Sequence, residues 1–150
     1  MEPKFELVYT VTEYYEGPRD GVANVRDVPH VYRSVYLDNA QWDSNEDRFE
    51  LSPISSEVLA LALEDWAIWK RFERAYHAAE LTEPVQESDW GALREDAPRH
   101  AELQQILESA LAIDPVRRVM TRGTFRVREP APETPVGVLK PLEVCWQPVG

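Results

Sequence analysis

The sequence predicts an α+β fold in which a bent antiparallel sheet or small open barrel of about six strands is covered by two helices. Short segments with apolar residues at alternate positions are joined by turns too short for a parallel crossover, which indicates antiparallel strands. Two longer segments with apolar residues at helical spacing lie between the fourth and fifth strands. The chain has 150 residues, the size of one domain, so residues 1–150 are expected to form a single domain.

Four strands are predicted before the first helix, at residues 4–16, 21–26, 30–38 and 48–51. Turns rich in glycine and proline separate the first three, and an acidic loop at 39–47 precedes the fourth. In the first strand, alternation predicts that Val8 lies on the face opposite to Phe5, Leu7, Tyr9 and Val11.

A long helix is predicted to begin in the serine-rich segment 52–57 and to end near Glu80. Its expected apolar face consists of Val58, Leu61, Ala62, Ile68, Trp69, Phe72 and Tyr76. The polar residues expected on the opposite side are Glu64, Lys70, Arg71 and Arg74. Trp66 and Trp69 are expected in the core, as is Trp146.

A second helix is predicted to begin near residues 96–98, since proline is tolerated in the first helical turn. Its expected buried stripe is Leu103, Ile106, Leu107, Ala110 and Leu111. Strands at 116–129 and 142–147, joined by a proline-rich connection, complete the predicted sheet.

Charge and composition restrict the class of partner. The chain has 16 Lys+Arg and 27 Asp+Glu, a net charge of −11, so nucleic acid is not an expected partner. The longest apolar run, 58–63, is far shorter than the ~20 residues that span a bilayer, and no secretory signal is visible. We therefore expect a cytoplasmic protein that does not bind membranes. Cys145 is the single cysteine, and the paired His/Cys spacing of zinc sites is missing, so neither a metal nor another cofactor is predicted.

Asp65 is the most unusual residue of the long helix, because it falls within the apolar arc. A carboxylate in that position must be paired or must face a cavity. The favoured interpretation is a structural pair with Arg19, or alternatively with Tyr14 or Tyr15. The second interpretation makes Asp65 a general base or ligand-orienting group in a helix–sheet cleft, together with Arg19, His30 and Tyr14.

Glu73 and His77 are adjacent on the helix surface at a spacing of four residues. Such a pair could orient an imidazole for proton transfer. A simple surface contact is the favoured interpretation, since no nucleophile can be assigned to the pair from sequence.

An arginine ladder is predicted on one face of the fifth strand, formed by Arg118, Arg122, Arg126 and Arg128. The residues expected to point inward from the same strand are Val119, Phe125 and Val127. The ladder could bind a carboxylate, a phosphate or an acidic protein partner. Neutralisation by acidic residues of neighbouring strands, such as Glu6 or Glu143, is the favoured alternative.

Three segments resemble an uncharacterised family of bacterial hypothetical proteins. They are the Tyr-Tyr-x-Gly-Pro-Arg turn within 13–23, Val-Pro-His at 28–30 and the Glu-Asp-Trp-Ala-Ile-Trp helix within 62–69. The resemblance covers the first half of the chain, to about His77. It implies a bacterial, cytosolic origin and assigns no activity, ligand or functional residue.

The sequence favours a small non-catalytic binding module that recognises a protein partner. The acidic loop, the arginine ladder and the predicted loop residues Trp42 and Trp90 suggest such a surface, and recognisable catalytic motifs are missing. The alternative is a small-molecule-binding protein or an enzyme with an acid/base site centred on Asp65. That alternative requires polar groups that converge on a solvent-reached pocket.

Overall fold

A computed structural model describes residues 4–14, 17–35, 48–78, 91–131, 133 and 138–148. The elements are β1 (Glu6–Tyr14), β2 (Pro18–Val25), β3 (Val28–Ser34), β4 (Arg48–Pro53), α1 (Ser56–His77), α2 (Ala97–Ala110), β5 (Val119–Val127) and β6 (Leu142–Pro148). The α+β class and the position of both helices between β4 and β5 are confirmed. Helix α1 ends at His77 rather than near Glu80.

The six strands form a closed antiparallel barrel in sequence order. Closure depends on the pairing of β6 with β1, in which Glu6 lies opposite Val144 and Leu7 opposite Glu143. The structure differs here from the predicted open barrel. Pairing between the first and last strands is a non-local contact, and apolar alternation within each strand does not report it.

Aromatic side chains fill the inside of the barrel. Tyr32, Phe49, Phe125 and Trp146 form one cluster with ring centroids 5.5–5.9 Å apart. Gly123 lies directly against this cluster, because a Cβ there would be 2.6 Å from the Trp146 ring. The barrel interior therefore contains a packed core.

A β-bulge in β1 overturns the predicted alternation. Val8 and Val11 both pack into the aromatic-rich core, whereas Tyr9 packs with the cluster that faces the helices. The register shifts between Val8 and Thr10, so one additional residue is accommodated. The Thr10 hydroxyl accepts a hydrogen bond from the Val22 amide at 3.0 Å, which compensates for the irregular backbone pairing.

The helices pack on the outside of the barrel against Val22. Ser55 caps α1 as predicted, its side chain accepting a hydrogen bond from the Val58 amide at 3.2 Å. Arg99 of α2 forms an ion pair with Glu64 of α1. Neither helix is long and apolar enough to cross a membrane, among the residues that the structure describes.

Three residues of the helices differ from the predicted pattern. Ile106 and Tyr76, expected to be buried, are 44% and 43% exposed. Lys70, expected on the polar side, is half-buried and bonds to Glu73. The buried face of each helix is narrower than its apolar arc. On α1 the buried face is also shifted toward Lys70. The surface of the barrel, and not the periodicity of the helix alone, therefore determines which side chains become buried.

Candidate functional site

A cavity of about 1050 Å³ lies between the two helices, β1 and the chain segment before β6, and we refer to it as the helix–barrel cavity. Its polar lining residues are Thr10, Thr12, Glu13, Tyr14, Asp65, Glu73, His100, Gln104, Glu108 and Lys140. Its apolar lining includes Trp66, Trp69, Leu107, Val138 and Leu142.

Asp65 is the central polar group of the lining, with a side chain that is 13% exposed. His100 Nδ1 lies 2.6 Å from its Oδ1 atom, and Gln104 Nε2 donates to its Oδ2 atom at 2.6 Å. His100 and Gln104 are one helical turn apart on α2, so both side chains reach the same carboxylate. Each oxygen of Asp65 therefore has a hydrogen-bond partner.

The contact with Asp65 determines the tautomer of His100. A carboxylate oxygen only accepts hydrogen bonds, so Nδ1–H is the donor, and Nε2 of the neutral ring carries a lone pair. Nε2 has no hydrogen-bond partner within the described ranges, and it would lie 3.6 Å from a Cβ on Gly91, another lining residue. In its neutral form the ring therefore has its proton acceptor, Nε2, on the side of the cavity lining.

Glu73 and Lys70 fix one wall of the cavity. The Glu73 side chain is only 7% exposed and lies 2.7 Å from Lys70 Nζ. Lys70 also donates to the Leu139 carbonyl at 2.9 Å, and the Leu139 amide donates to Glu73 Oε2 at 3.4 Å. The pair therefore binds both backbone groups of Leu139 and holds this segment against α1.

The predicted Glu73–His77 pair is wrong. Glu73 is buried and bonds to Lys70, while His77 is exposed and lies edge-on to the Tyr76 ring at 5.2 Å. The segment around Leu139 occupies the position next to Glu73, and the helix sequence alone does not reveal it.

The structure separates the cleft residues that the sequence proposed. Asp65 and Tyr14 line the cavity, whereas Arg19 and His30 do not. The partners of Asp65 are His100 and Gln104 rather than the predicted Arg19 or Tyr14. Tyr15 lies outside the described residues.

Sequence reasoning missed His100 and Gln104 as site residues. Their spacing of four, beside buried Leu103 and Leu107, places them at the edge of the buried face of α2. This spacing was the available signal, but the pairing of α2 with the Asp65 side of α1 depends on the tertiary fold.

Arg122 and Arg126 of the predicted arginine ladder lie in β5, whereas Arg118 and Arg128 lie just outside its two ends. The predicted neutralisation is confirmed at Arg126. Arg126 Nε lies 2.6 Å from Glu143, and its guanidinium group lies 3.5 Å from the centroid of the Phe5 ring. Arg118 is 3.6 Å from Glu50. Glu6, the other predicted partner, instead accepts a hydrogen bond from the Asp27 amide.

The remaining ladder residues and their inward neighbours are only partly as predicted. Arg122 is half-buried and Arg128 is exposed. Phe125 packs into the core, but Val119 and Val127 are 56% and 37% exposed because they lie at the two ends of β5. Trp42, Trp90 and the acidic loop at 39–47 lie outside the described residues.

Metal ligation and similarity to known proteins provide no further assignment. Within the described part of the chain, no group of at least three His, Cys, Asp or Glu side chains could hold a metal ion. The chain matches no protein-family model, no curated protein and no solved structure. Function is therefore argued from the geometry of the helix–barrel cavity.

Proposed function

We propose that this protein binds a small organic molecule in the helix–barrel cavity and uses the Asp65–His100 pair as a proton acceptor toward it. The observation that carries this proposal is the 2.6 Å contact between Asp65 and His100 Nδ1 in the cavity lining. It leaves the Nε2 lone pair available to a ligand hydroxyl or amine.

The size and chemistry of the cavity support this proposal. Its volume of about 1050 Å³ is at the upper end of typical ligand sites, ~300–1,000 Å³. Side chains already fill the barrel interior, so the accessible space lies outside the barrel. Apolar walls with a few convergent polar groups are typical of small-molecule sites.

The Asp65–His100 arrangement also supports acid/base chemistry. The carboxylate orients the imidazole ring and stabilises the imidazolium ion that forms when Nε2 takes a proton. Gln104 fixes the carboxylate through its second oxygen. A ligand O–H or N–H within ~2.6–3.2 Å of Nε2 would be positioned for proton transfer.

The protein-partner hypothesis has weaker support. It relied on the arginine ladder and on loop residues outside the described ranges. Glu50 and Glu143 already contact Arg118 and Arg126, so an acidic partner would have to compete with these contacts.

An NMR fragment screen tests the proposal on the full chain. We expect hits to shift the amide signals of cavity residues in the wild type. The variant Thr12→Trp should abolish these shifts, since residue 12 is an exposed lining position where a large side chain fills space without disturbing the core. Thr124→Trp is the matched control, because Thr124 is an exposed strand residue outside the lining.

A second variant isolates His100. His100→Asn keeps a donor close to the position of Nδ1 but removes Nε2, so hits with a hydroxyl or amine group should lose about tenfold in affinity. Hits that bind equally to the wild type and Thr12→Trp, or that shift only residues outside the cavity, would refute the proposed site.

A further inference from the structure

We infer that the ligand of the helix–barrel cavity is an organic amine, protonated at neutral pH, with an aromatic or other flat apolar body. This inference rests on the proposed function and specifies the chemical class of the ligand. It depends on the hydrogen-bonding groups, the charges and the aromatic side chains of the lining.

Several polar groups of the lining are hydrogen-bond acceptors, beside the hydroxyl groups of Thr10, Thr12 and Tyr14. Asp65 orients His100 so that Nε2 accepts, and the amide nitrogen of Gln104 already donates to Asp65, which leaves its carbonyl oxygen as an acceptor. The carboxylates of Glu13 and Glu108 also line the cavity. An ammonium group has donors and no acceptor, so it matches this set of groups.

The charges of the lining favour a cation. Glu13 and Glu108 form no ion pair with any described residue, and Asp65 is hydrogen-bonded to His100 and Gln104. Glu73 is neutralised by Lys70. Among the described lining residues, Lys140 is the one Lys or Arg, and it is exposed, as are Glu13 and Glu108. These carboxylates attract an ammonium ion and repel a phosphate or carboxylate.

Aromatic side chains provide the surface for the body of the ligand. Trp66, Trp69 and Tyr14 all line the cavity. The Lys70 ammonium lies 5.6 Å from the centroid of the Trp66 ring, so Lys70 already makes the cation contact of this ring and Trp66 offers a ligand its apolar surface. A tryptophan face attracts both a flat apolar group and a positive charge.

A matched ligand series tests the inference. Tryptamine, tryptophol and indoleacetate share one indole body and carry an ammonium, a hydroxyl and a carboxylate group. Each is titrated into the ¹⁵N-labelled full chain, and the signals followed are the indole N–H groups of Trp66 and Trp69 and the amides of the lining. We expect tryptamine to bind about tenfold more tightly than indoleacetate, with tryptophol between them.

Charge variants on α2 provide the second arm. Glu108→Gln should weaken tryptamine binding about two- to fivefold and leave tryptophol binding unchanged. Glu102→Gln is the control for charge, because it removes the same charge from an exposed position of α2 outside the lining, where Glu102 bonds to Arg99 at 3.0 Å. A similar loss of affinity in both variants would show that net protein charge, rather than the cavity, selects the amine, and would overturn the inference.

The outcomes distinguish the inference from the proposed function. If the titrations show that tryptophol or indoleacetate binds as tightly as tryptamine, the amine preference is wrong and the small-molecule site remains. If none of the three compounds shifts the lining signals, the inference is overturned, and the fragment screen decides independently whether the cavity binds other molecules.

Discussion

Asp65 of α1 and His100 of α2 are 35 residues apart in the chain and meet through a 2.6 Å hydrogen bond that joins the two helices. The same contact determines the imidazole tautomer that faces the helix–barrel cavity. The pair therefore has a structural and a chemical role. Substitutions that test it must distinguish loss of the hydrogen bond to Asp65 from loss of the Nε2 atom of His100.

His100→Ala is expected to lower the free energy of unfolding by about 1–3 kcal/mol, because it leaves a largely buried carboxylate oxygen without its donor. His100→Asn should cost less, since its amide can still donate to Asp65. Urea unfolding followed by tryptophan fluorescence measures both values. Equal losses of stability in the two variants would contradict the importance of the Nδ1 donor. A double-mutant cycle that combines His100→Ala with Asp65→Ala should show a coupling of about 1 kcal/mol.

Lys70→Met is expected to loosen the cavity wall around Leu139. The substitution removes the donor to the Leu139 carbonyl and leaves the buried Glu73 carboxylate without its cation. We expect a loss of about 1–3 kcal/mol in unfolding free energy and faster hydrogen exchange at the Leu139 amide.

Two further variants make this test specific. Lys70→Met combined with Glu73→Leu should be more stable than Lys70→Met alone, because no uncompensated carboxylate remains. Arg74→Met, at an exposed position on the same helix, should leave exchange at Leu139 unchanged. Unchanged exchange in Lys70→Met itself would show that the pair does not hold this segment.

The sequence predicted local features of the fold more successfully than the contacts between elements. The Ser55 cap and the proline at the start of α2 follow from local chemistry, and the structure contains both. The turn predicted between the first two strands, at residues 17–20, is wrong, because Pro18–Val25 forms β2 and Asp20 pairs with both β1 and β3. Apolar alternation failed in β1, since the bulge near Thr10 changes which residues face the core. Closure through β1 and β6 was equally non-local.

The candidate site shows the same division. Asp65 was recognisable because a carboxylate in an apolar helical arc needs a partner or a cavity. Its partners were not, since His100 and Gln104 belong to a helix that approaches α1 only in the folded chain. Glu73 was paired with His77 in the sequence prediction because a backbone partner such as Leu139 has no signature in the helix sequence.

Alanine substitutions at Gly21 and Gly123 should both destabilise the barrel, but only one should be rescued. A Cβ on Gly123 would lie 2.6 Å from the Trp146 ring and 3.0 Å from the Phe49 ring, both side chains. A Cβ on Gly21 would collide with the backbone oxygen of Thr10 and lie 2.6 Å from the Tyr32 hydroxyl. We expect losses of at least about 1–3 kcal/mol in unfolding free energy for each variant.

The rescue experiment distinguishes side-chain from backbone clashes. Trp146→Leu should recover part of the loss caused by Gly123→Ala, because it removes the colliding ring. Tyr32→Phe should not recover Gly21→Ala, since the contact with the Thr10 backbone remains. Thermal or urea unfolding of the single and double variants measures the recovery, and rescue at Gly21 would contradict the backbone origin of its constraint.

The ion pair between Arg71 and Asp96 should make the packing of α2 on α1 sensitive to acid. The guanidinium group forms two hydrogen bonds of 3.0 Å with the carboxylate, and these bonds lower the pKa of Asp96 below its ordinary value. A lowered pKa in the folded state stabilises the fold above the ordinary carboxyl pKa, and this contribution is lost as the pH falls through the lowered value. Asp96→Asn should therefore be less stable than the wild type at about pH 7, and the difference should shrink as the pH falls below the ordinary carboxyl pKa.

Urea unfolding at a series of pH values measures this convergence. For Arg71→Gln, the difference in unfolding free energy from the wild type should change with pH in the same way, because this variant removes the other partner of the pair. Glu133→Gln, at an exposed position outside the helices and strands, provides a control for the general effect of removing a carboxylate. If the stability deficit of Asp96→Asn does not shrink as the pH falls below the ordinary carboxyl pKa, Asp96 stabilises the start of α2 by a route that does not require its charge.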